Sequence, residues 1–275
     1  MKEILYAIAV LGAMGAIFGA VLALASRLFA VKTDERLPLL LDALPGANCG
    51  GCGFAGCAAY AQAVIDGKAA VGLCAVGGAE SANKMAAIMG VEANAMQRSV
   101  AMVKCRGRHH LSKGNYEGID DCMSAMFVAG DGPSACGSGC LGFGNCMKVC
   151  MFGAISLVDG IARIDADKCT GCLQCVSACP RHVIVEVSQD ADIVVACSNH
   201  DRGAELRSIC DLGCVGCHLC EQQCEFDAIH VVKSLATIDY SKCVSCGRCA
   251  AVCPRGIIAD SNLRRDMDVA PSIAR

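Results

Sequence analysis

Cysteine spacing is the main chemical signal in this sequence. Residues 169–180 and 243–254 each read Cys-x2-Cys-x2-Cys-x3-Cys-Pro, and residues 214–224 have the same cysteine spacing without the proline. In bacterial two-cluster ferredoxins such a run binds one [4Fe–4S] cluster with three thiolates, and its fourth cysteine binds the other cluster. The spacing therefore predicts iron–sulfur clusters held by short loops.

The run at residues 214–224 and the run at residues 243–254 together form a complete two-cluster unit. Glu225 stands where the proline is usual, but proline gives no ligand to iron, so this change leaves ligation intact. Exchange of the fourth cysteines predicts two ligand sets, which are Cys214, Cys217, Cys220 and Cys253, and Cys224, Cys243, Cys246 and Cys249.

A preceding segment repeats this pattern less regularly. Phe143 occupies the position that Cys217 has in the second unit, so the first unit lacks its middle thiolate. Cys136 is the nearest cysteine that could compensate for this loss. The predicted ligand sets are Cys136, Cys140, Cys146 and Cys179, and Cys150, Cys169, Cys172 and Cys175.

A further group of cysteines precedes both units, among glycines that permit close backbone approach to a cluster. Its predicted ligands are Cys49, Cys52, Cys57 and Cys74, for which a tetrahedral zinc site is the alternative. The pattern thus predicts at least five [4Fe–4S] clusters. Four cysteines are not assigned to these sets, namely Cys105, Cys122, Cys197 and Cys210. They could be buried free thiols, a metal site or the ligands of a sixth cluster.

Composition agrees with small modules that fold around an inorganic group. The chain has 275 residues with 24 cysteines, no Trp and only 4% aromatic residues, although 54% of it is apolar. A large core normally relies on aromatic side chains for much of its burial. The net charge of −3 does not indicate nucleic acid as a partner. No catalytic acid–base or nucleophilic set is visible, so no catalytic residues are predicted.

The N-terminal segment predicts a membrane anchor. Residues 4–25 carry no charge and are long enough to cross a bilayer, whereas the apolar part of a signal peptide is shorter. Arg27, Lys32 and Arg36 follow the segment, so the positive-inside rule places the rest of the chain in the cytoplasm. Thiols stay reduced there, which favours metal ligation over disulfides.

The predicted fold class is α+β, with one transmembrane helix, a small and mostly helical cluster module, and two ferredoxin-like units. The run from Ser81 to Met102 predicts an amphipathic helix that completes the helical module. The predicted domains are the anchor and its flank (1–32), a four-cysteine Fe–S domain (33–102), a basic connector (103–135), a first ferredoxin-like unit (136–190), a second connector (191–209), a second ferredoxin-like unit (210–262) and a tail (263–275).

The order of these parts, with the segment Leu-Pro-Gly-Ala-Asn-Cys-Gly-Gly-Cys-Gly-Phe-Ala-Gly-Cys at residues 44–57, resembles the B subunit of the Rnf family. The resemblance covers nearly the whole chain and matches the longer form with duplicated ferredoxin units. It implies a redox subunit of a ferredoxin:NAD⁺ oxidoreductase that pumps Na⁺ or H⁺. The subunit would take electrons from reduced ferredoxin and relay them to other Rnf subunits in the cell membrane, which hold the NAD⁺ site.

Two other functions stay open at this point. A membrane-anchored polyferredoxin could supply a different redox enzyme, and a zinc–thiolate scaffold would carry no electrons. A further expectation concerns the donor, because ferredoxins are generally acidic and the connector is basic. Its cationic residues could attract the donor, and they include Lys104, Arg106, Arg108 and Lys113.

Overall fold

Helices and paired strands make up the part of the chain that a computed structural model describes. The described residues are 2–28, 34–93, 97–107, 116–128, 130, 132–189 and 191–259. Within them the strands form four two-stranded antiparallel sheets, so the fold is mixed α and β as predicted. Arg108 and Lys113 of the predicted basic connector, and the predicted tail at 263–275, lie outside the described residues.

The N-terminal helix α1 spans Lys2–Leu28. Of the helices in the described part of the chain, none combines the length and the hydropathy that crossing a membrane requires. The transmembrane helix predicted at residues 4–25 is therefore not supported.

Three helices form the next module, α2 at Arg36–Ala43, α3 at Cys57–Ile65 and α4 at Gly78–Met89. Their apolar faces meet around Leu40, Tyr60 and Met85, which are almost completely buried. The core of this module is separate from the core of the two ferredoxin-like units.

The predicted helix from Ser81 to Met102 is wrong in its second half. Helix α4 ends at Met89 because Gly90 adopts a left-handed backbone conformation, with φ of 67°, which terminates helices. The chain then enters strand β1 at Ser99–Val103, where β-branched residues and close pairing favour an extended backbone. Strand β1 pairs with β4 at Ile184–Ser188, so it belongs structurally to the first ferredoxin-like unit.

The rest of the first unit consists of very short elements. A hairpin of β2 and β3 lies between the two cysteine runs, and each run ends in a single helical turn. The elements of this region are α5 (Cys122–Phe127), α6 (Asn145–Lys148), β2 (Ile155–Val158), β3 (Ile161–Ile164) and α7 (Gln174–Ser177).

The second unit repeats this plan. Its hairpin occupies the same place between the two cysteine runs, and strands β5 and β8 form a further pair that closes the unit. Its elements are β5 (Val194–Val195), α8 (Gly203–Ile209), α9 (Leu219–Gln222), β6 (Ile229–Val232), β7 (Leu235–Ile238), α10 (Arg248–Ala251) and β8 (Ile258–Ala259).

Tyr60 supports a test of how the helical module is held together. Its hydroxyl donates to the carbonyl of Ala70 at 2.9 Å and accepts the backbone N–H of Leu73 at 3.1 Å, immediately before Cys74. We expect Tyr60→Phe to lower the free energy of unfolding by about 1–3 kcal/mol, because the Leu73 N–H loses its partner inside the protein. The denaturant midpoint for loss of visible absorbance measures this effect. Tyr6→Phe, on the exposed side of α1, is the matched control and should leave the midpoint unchanged.

Candidate iron–sulfur centres

Site 1 lies in the helical module. A cavity of about 360 Å³ is lined by all four cysteines that the sequence predicts for this module, namely Cys49, Cys52, Cys57 and Cys74. Asn48 shapes the loop, because its side-chain oxygen accepts the backbone N–H of Cys57 at 2.8 Å. The Cys74 sulfur accepts the backbone N–H of Gly77 at 3.3 Å. Burial is the main cause that raises the pKa of the Cys74 thiol.

Site 2 adjoins site 1. It combines three cysteines of the run after β3 with the last cysteine of the preceding run, and its members are Cys150, Cys169, Cys172 and Cys175. The pKa of the Cys175 thiol is raised to about 12, first by burial and then by negative charge on the other three. The Cys169 sulfur accepts the backbone N–H of Ala101 at 3.4 Å, so strand β1 supports this site.

The contact between these two sites depends on a glycine. A Cβ on Gly51 would lie 2.8 Å from the carbonyl oxygen of Cys172 and 3.0 Å from its Cα, so only glycine allows the two ligand loops to touch. Cys172 itself lines the cavity of site 1. The two ligand sets are therefore in direct contact.

Site 3 differs from the sequence prediction in one ligand. A cavity of about 360 Å³ is lined by four cysteines, which are Cys122, Cys140, Cys146 and Cys179. Cys136 is not among the residues around it, although the sequence analysis assigned it to this set. The cysteine that joins Cys140 and Cys146 around this cavity is Cys122, from helix α5, which precedes the run in the chain.

The backbone around Cys122 is fixed by side-chain hydrogen bonds. Asp121 caps α5, since its carboxylate accepts the backbone N–H of Ser124 at 2.8 Å. Asn145 donates to the same carboxylate at 2.7 Å and accepts the Cys122 N–H at 2.9 Å. Asn145 directly precedes Cys146, so one side chain positions two candidate ligands of site 3.

Site 4 belongs to the second unit. The pKa of the Cys220 thiol is raised to about 11 by burial, and negative charge on three further cysteines adds to this effect, namely Cys214, Cys217 and Cys253. Cys253 thus lies with the earlier run, in the arrangement that exchange of the fourth cysteines predicts. Cys217 is exposed to solvent.

Site 5 is the other cavity of the second unit, with a volume of about 350 Å³. It is lined by Cys224, Cys243, Cys246 and Cys249. The Cys224 sulfur accepts the backbone N–H of Ala228 at 3.4 Å. Glu225, which replaces the usual proline, forms an ion pair with Arg248 and so connects the two runs that contribute to this site.

Four cysteines lie outside sites 1 to 5, and Cys136 is one of them in place of Cys122. Cys122 lines site 3. Cys136 lies near Cys105 and Cys197, and Gly107 separates Cys105 from Cys210. The sequence analysis named Cys122 for this remaining group, whereas the structure places Cys122 beside Cys140, Cys146 and Cys179. In the part of the chain that the structure describes, no three His, Cys, Asp or Glu side chains converge closely enough to hold a single metal ion.

Comparison with sequence families agrees with this distribution of cysteines. The "Putative Fe-S cluster" family matches residues 44–76, which contain site 1. A 4Fe-4S binding domain matches residues 162–185, and a 4Fe-4S dicluster domain matches residues 213–257. The matches show that the chain carries iron–sulfur domains of the 4Fe–4S type.

Curated relatives match almost the whole chain. The B subunit of a Na⁺-translocating ferredoxin:NAD⁺ oxidoreductase complex from Acetobacterium woodii is 43% identical over 94% of this chain and 78% of its own length. The B subunit of a proton-translocating ferredoxin:NAD⁺ oxidoreductase complex from Clostridium ljungdahlii is 42% identical over 94% of this chain and 93% of its own length. The B subunit of an ion-translocating oxidoreductase complex from Methanosarcina acetivorans is 38% identical over 91% of this chain and 96% of its own length.

Site 3 supports a test by paired substitutions. We expect Cys122→Ala and Cys179→Ala each to remove one cluster, about four irons. The double variant should lose no more iron than either single variant, because both thiolates bind the same cluster. Iron per chain, measured on anaerobically purified protein, gives the result.

The matched control pairs Cys179→Ala with Cys175→Ala, whose thiol lies in site 2. That double variant should lose about eight irons, since two clusters are damaged. Additive loss for the pair of Cys122 and Cys179 would show that these two cysteines serve different clusters.

Proposed function

We propose a function from one premise, which is that the chain belongs to the B-subunit family of the ion-translocating ferredoxin:NAD⁺ oxidoreductase complexes. It is an electron-transfer subunit with 4Fe–4S ferredoxin domains. In our proposal it accepts electrons from reduced ferredoxin and delivers them to other subunits of the complex. The complex uses this electron flow to move ions across the membrane, and the cluster-bearing part of this chain faces the cytoplasm.

The contact between successive ligand sets is the observation that supports this proposal. Site 1 touches site 2 through Gly51 and Cys172. Site 2 lies near site 3, since helices α7 and α6, which carry Cys175 and Cys146, pack in one core with both cysteines buried. Ligand sets in contact suit a carrier whose redox centres must be close enough to exchange electrons.

We assign to sites 1 to 5 the cysteines described above as ligands, with one [4Fe–4S] cluster each. Such a cluster, when bound, accepts and releases a single electron. The chain contributes four thiolates per site, full or partial burial of most of these cysteines, and N–H groups that point at sulfur. Examples of these donors are Gly77 at site 1, Ala101 at site 2 and Ala228 at site 5. Hydrogen bonds to the sulfurs and solvent exposure are the main ways in which a protein tunes the potential of such a cluster.

Site 5 is our candidate for the entry of electrons. Cys246 is exposed, and the neighbouring Val244 and Phe226 expose 56% and 43% of their surfaces. An apolar rim around an exposed ligand suits a partner that docks briefly and brings its own cluster close. Site 1, at the opposite end of the chain and next in sequence to helix α1, is then the exit toward the other subunits.

The basic connector is a weaker docking candidate than its sequence indicates. The guanidinium group of Arg106 is half-buried and donates to the carbonyl of Gly256, so it serves a contact within the chain. The backbone N–H of Lys104 continues the pairing of β1 by donating to Val183 at 2.7 Å. We therefore place the donor at the rim of site 5.

Electron uptake from ferredoxin tests the proposed function. Mixing the oxidised protein with reduced ferredoxin in a stopped-flow instrument should bleach its visible absorbance, since cluster reduction lowers that absorbance. Protein that is colourless, or coloured protein that reduced ferredoxin does not bleach, would contradict the role of the chain as an acceptor from ferredoxin.

The docking site has its own prediction. Val244→Glu should slow reduction by ferredoxin about threefold or more at low salt, because a new negative charge repels an acidic donor at the rim. Raising the salt concentration should reduce the difference from wild type, since screening weakens the repulsion. Val91→Glu makes the same change on an exposed valine of the helical module and should leave the rate unchanged. Equal rates for all three proteins would place the donor elsewhere.

A further inference from the structure

Four cysteines outside sites 1 to 5 meet between the two ferredoxin-like units. Gly107 is the common neighbour of two of them, because a Cβ placed on it would lie 3.7 Å from the Cys105 sulfur and 3.8 Å from the Cys210 sulfur. Cys105 follows strand β1, and Cys210 follows helix α8, so the two sulfurs come from distant parts of the chain. The missing side chain of Gly107 leaves space beside both sulfurs.

The other two sulfurs lie in the same place. Asn199 is almost completely buried, and its side-chain nitrogen donates to the Cys136 sulfur at 3.3 Å. Cys197 lies two residues before Asn199. Its sulfur is close enough to Cys136 for the charge of that thiolate to raise the pKa of the Cys197 thiol. Cys136 is also close enough to Cys105 for its charge to raise the pKa of the Cys105 thiol. The pair of Cys136 and Cys197 therefore lies next to the pair of Cys105 and Cys210. The four cysteines therefore form one group from four separate segments.

Arginine side chains hold the backbone of three of these cysteines. Arg163 donates to the carbonyl of Cys105 at 2.9 Å, Arg181 to that of Cys136 at 3.4 Å, and Arg255 to that of Cys210 at 2.8 Å. The carbonyl of Cys169 in site 2 is held in the same way by Arg98, at 3.2 Å. The group thus shares a supporting contact with a site whose cysteines lie in a ferredoxin run.

The electrostatic surroundings favour an anionic group. Three guanidinium groups approach the cysteines, and Arg106 adds a fourth beside Arg163. N–H groups also point at the sulfurs, since Cys197 accepts from the backbone of Cys214 at 3.5 Å. A cubane with four thiolate ligands is negative overall, so positive charge and N–H donors stabilise it.

We propose that Cys105, Cys136, Cys197 and Cys210 ligate a sixth [4Fe–4S] cluster, in what we call the bridging site. This inference rests on the proposed function, because it adds a centre to the same electron carrier. The bridging site touches site 3 through Cys105, which accepts a hydrogen bond from the backbone of Cys140. It touches site 4 through the contact of Cys197 with Cys214.

The position gives this cluster a definite role. Sites 1 to 3 lie next to one another, sites 4 and 5 share the second unit, and the bridging site is in contact with sites 3 and 4. With a cluster bound, the bridging site would receive one electron from the cluster on one side, which would be oxidised. It would then pass that electron to the cluster on the other side, so no further reactant would be needed.

The internal repeat explains why these cysteines are available. Cys136 and Cys210 hold equivalent positions, each four residues before the first cysteine of its run. In the first unit Phe143 removes a thiolate and Cys122 replaces it. The second unit retains Cys217, so Cys197, which precedes Cys210 much as Cys122 precedes Cys136, is free to serve the bridging site.

Iron analysis of the full chain tests the bridging site. Six clusters predict about 24 irons per chain, and five predict about 20. Cys136→Ala and Cys210→Ala should each remove about four irons, and the double variant should lose no more than either single variant. As a matched control, the pair Cys217→Ala and Cys246→Ala affects sites 4 and 5 and should lose about eight irons.

The outcomes separate this inference from the proposed function. A wild-type content of about 20 irons, or additive loss for Cys136 and Cys210, overturns the bridging site and leaves an electron carrier with five clusters. One zinc per chain in addition to about 20 irons overturns it as well. Protein without iron overturns the bridging site and the proposed function together.

A rate measurement provides a second readout that does not depend on total iron. After mixing with reduced ferredoxin, the wild-type absorbance should bleach to the full extent in a single continuous course. In the double variant of Cys136 and Cys210 only the clusters on one side of the gap should bleach quickly, and the rest should lag by at least about tenfold. Unchanged bleaching in a variant that has lost four irons would show that the bridging site carries no electrons between the units.

Discussion

Ligation by cysteine is the constraint on which the rest of this structure depends. The ferredoxin-like units contain helices of a single turn and sheets of two strands, and such elements are too short to be stable alone in water. Aromatic residues contribute little to their core, which instead contains many of the cysteines. Binding an inorganic group to four thiolates contributes directly to folding, because the ligands come from separate segments that the bound group ties together. The buried sulfur atoms are therefore both the cofactor site and the centre of the core.

The duplicated units show how one lost ligand can rearrange a protein. The first unit has a phenylalanine at the middle position of its first run, and Cys122 of helix α5 lies beside the remaining cysteines of that run. Asp121 and Asn145 hold that helix against the run. The segment between the helical module and the first unit is therefore part of the site. The same rearrangement leaves Cys136 for the group between the units. A local substitution in one repeat thus changes which cysteines are neighbours elsewhere.

Local spacing predicted much of the site, and distant pairing explains most of the errors. Runs such as Cys243 to Cys253 impose their geometry within a few residues, so the sequence alone identifies the loop that meets the iron. Cys122 and Cys136 exchanged places because their partners are selected by tertiary packing, for which sequence spacing carries no signal. The helix predicted to reach Met102 failed at Gly90, a helix-ending residue within an otherwise helical composition. Strand β1 could not be assigned to the first unit, since its partner β4 lies far along the chain.

The pairing of β1 with β4 has a consequence for biogenesis. All four cysteines of site 1 lie in one short stretch that leaves the ribosome early, so this module can acquire its cofactor while the remainder is still being translated. The first ferredoxin-like unit cannot close until β4 has been synthesised, because β1 pairs with that strand. During that interval the nascent chain exposes unligated thiols and an unpaired strand edge, a state that is vulnerable to oxidation and aggregation. The order of these segments in the chain therefore allows the N-terminal module to mature before the C-terminal unit.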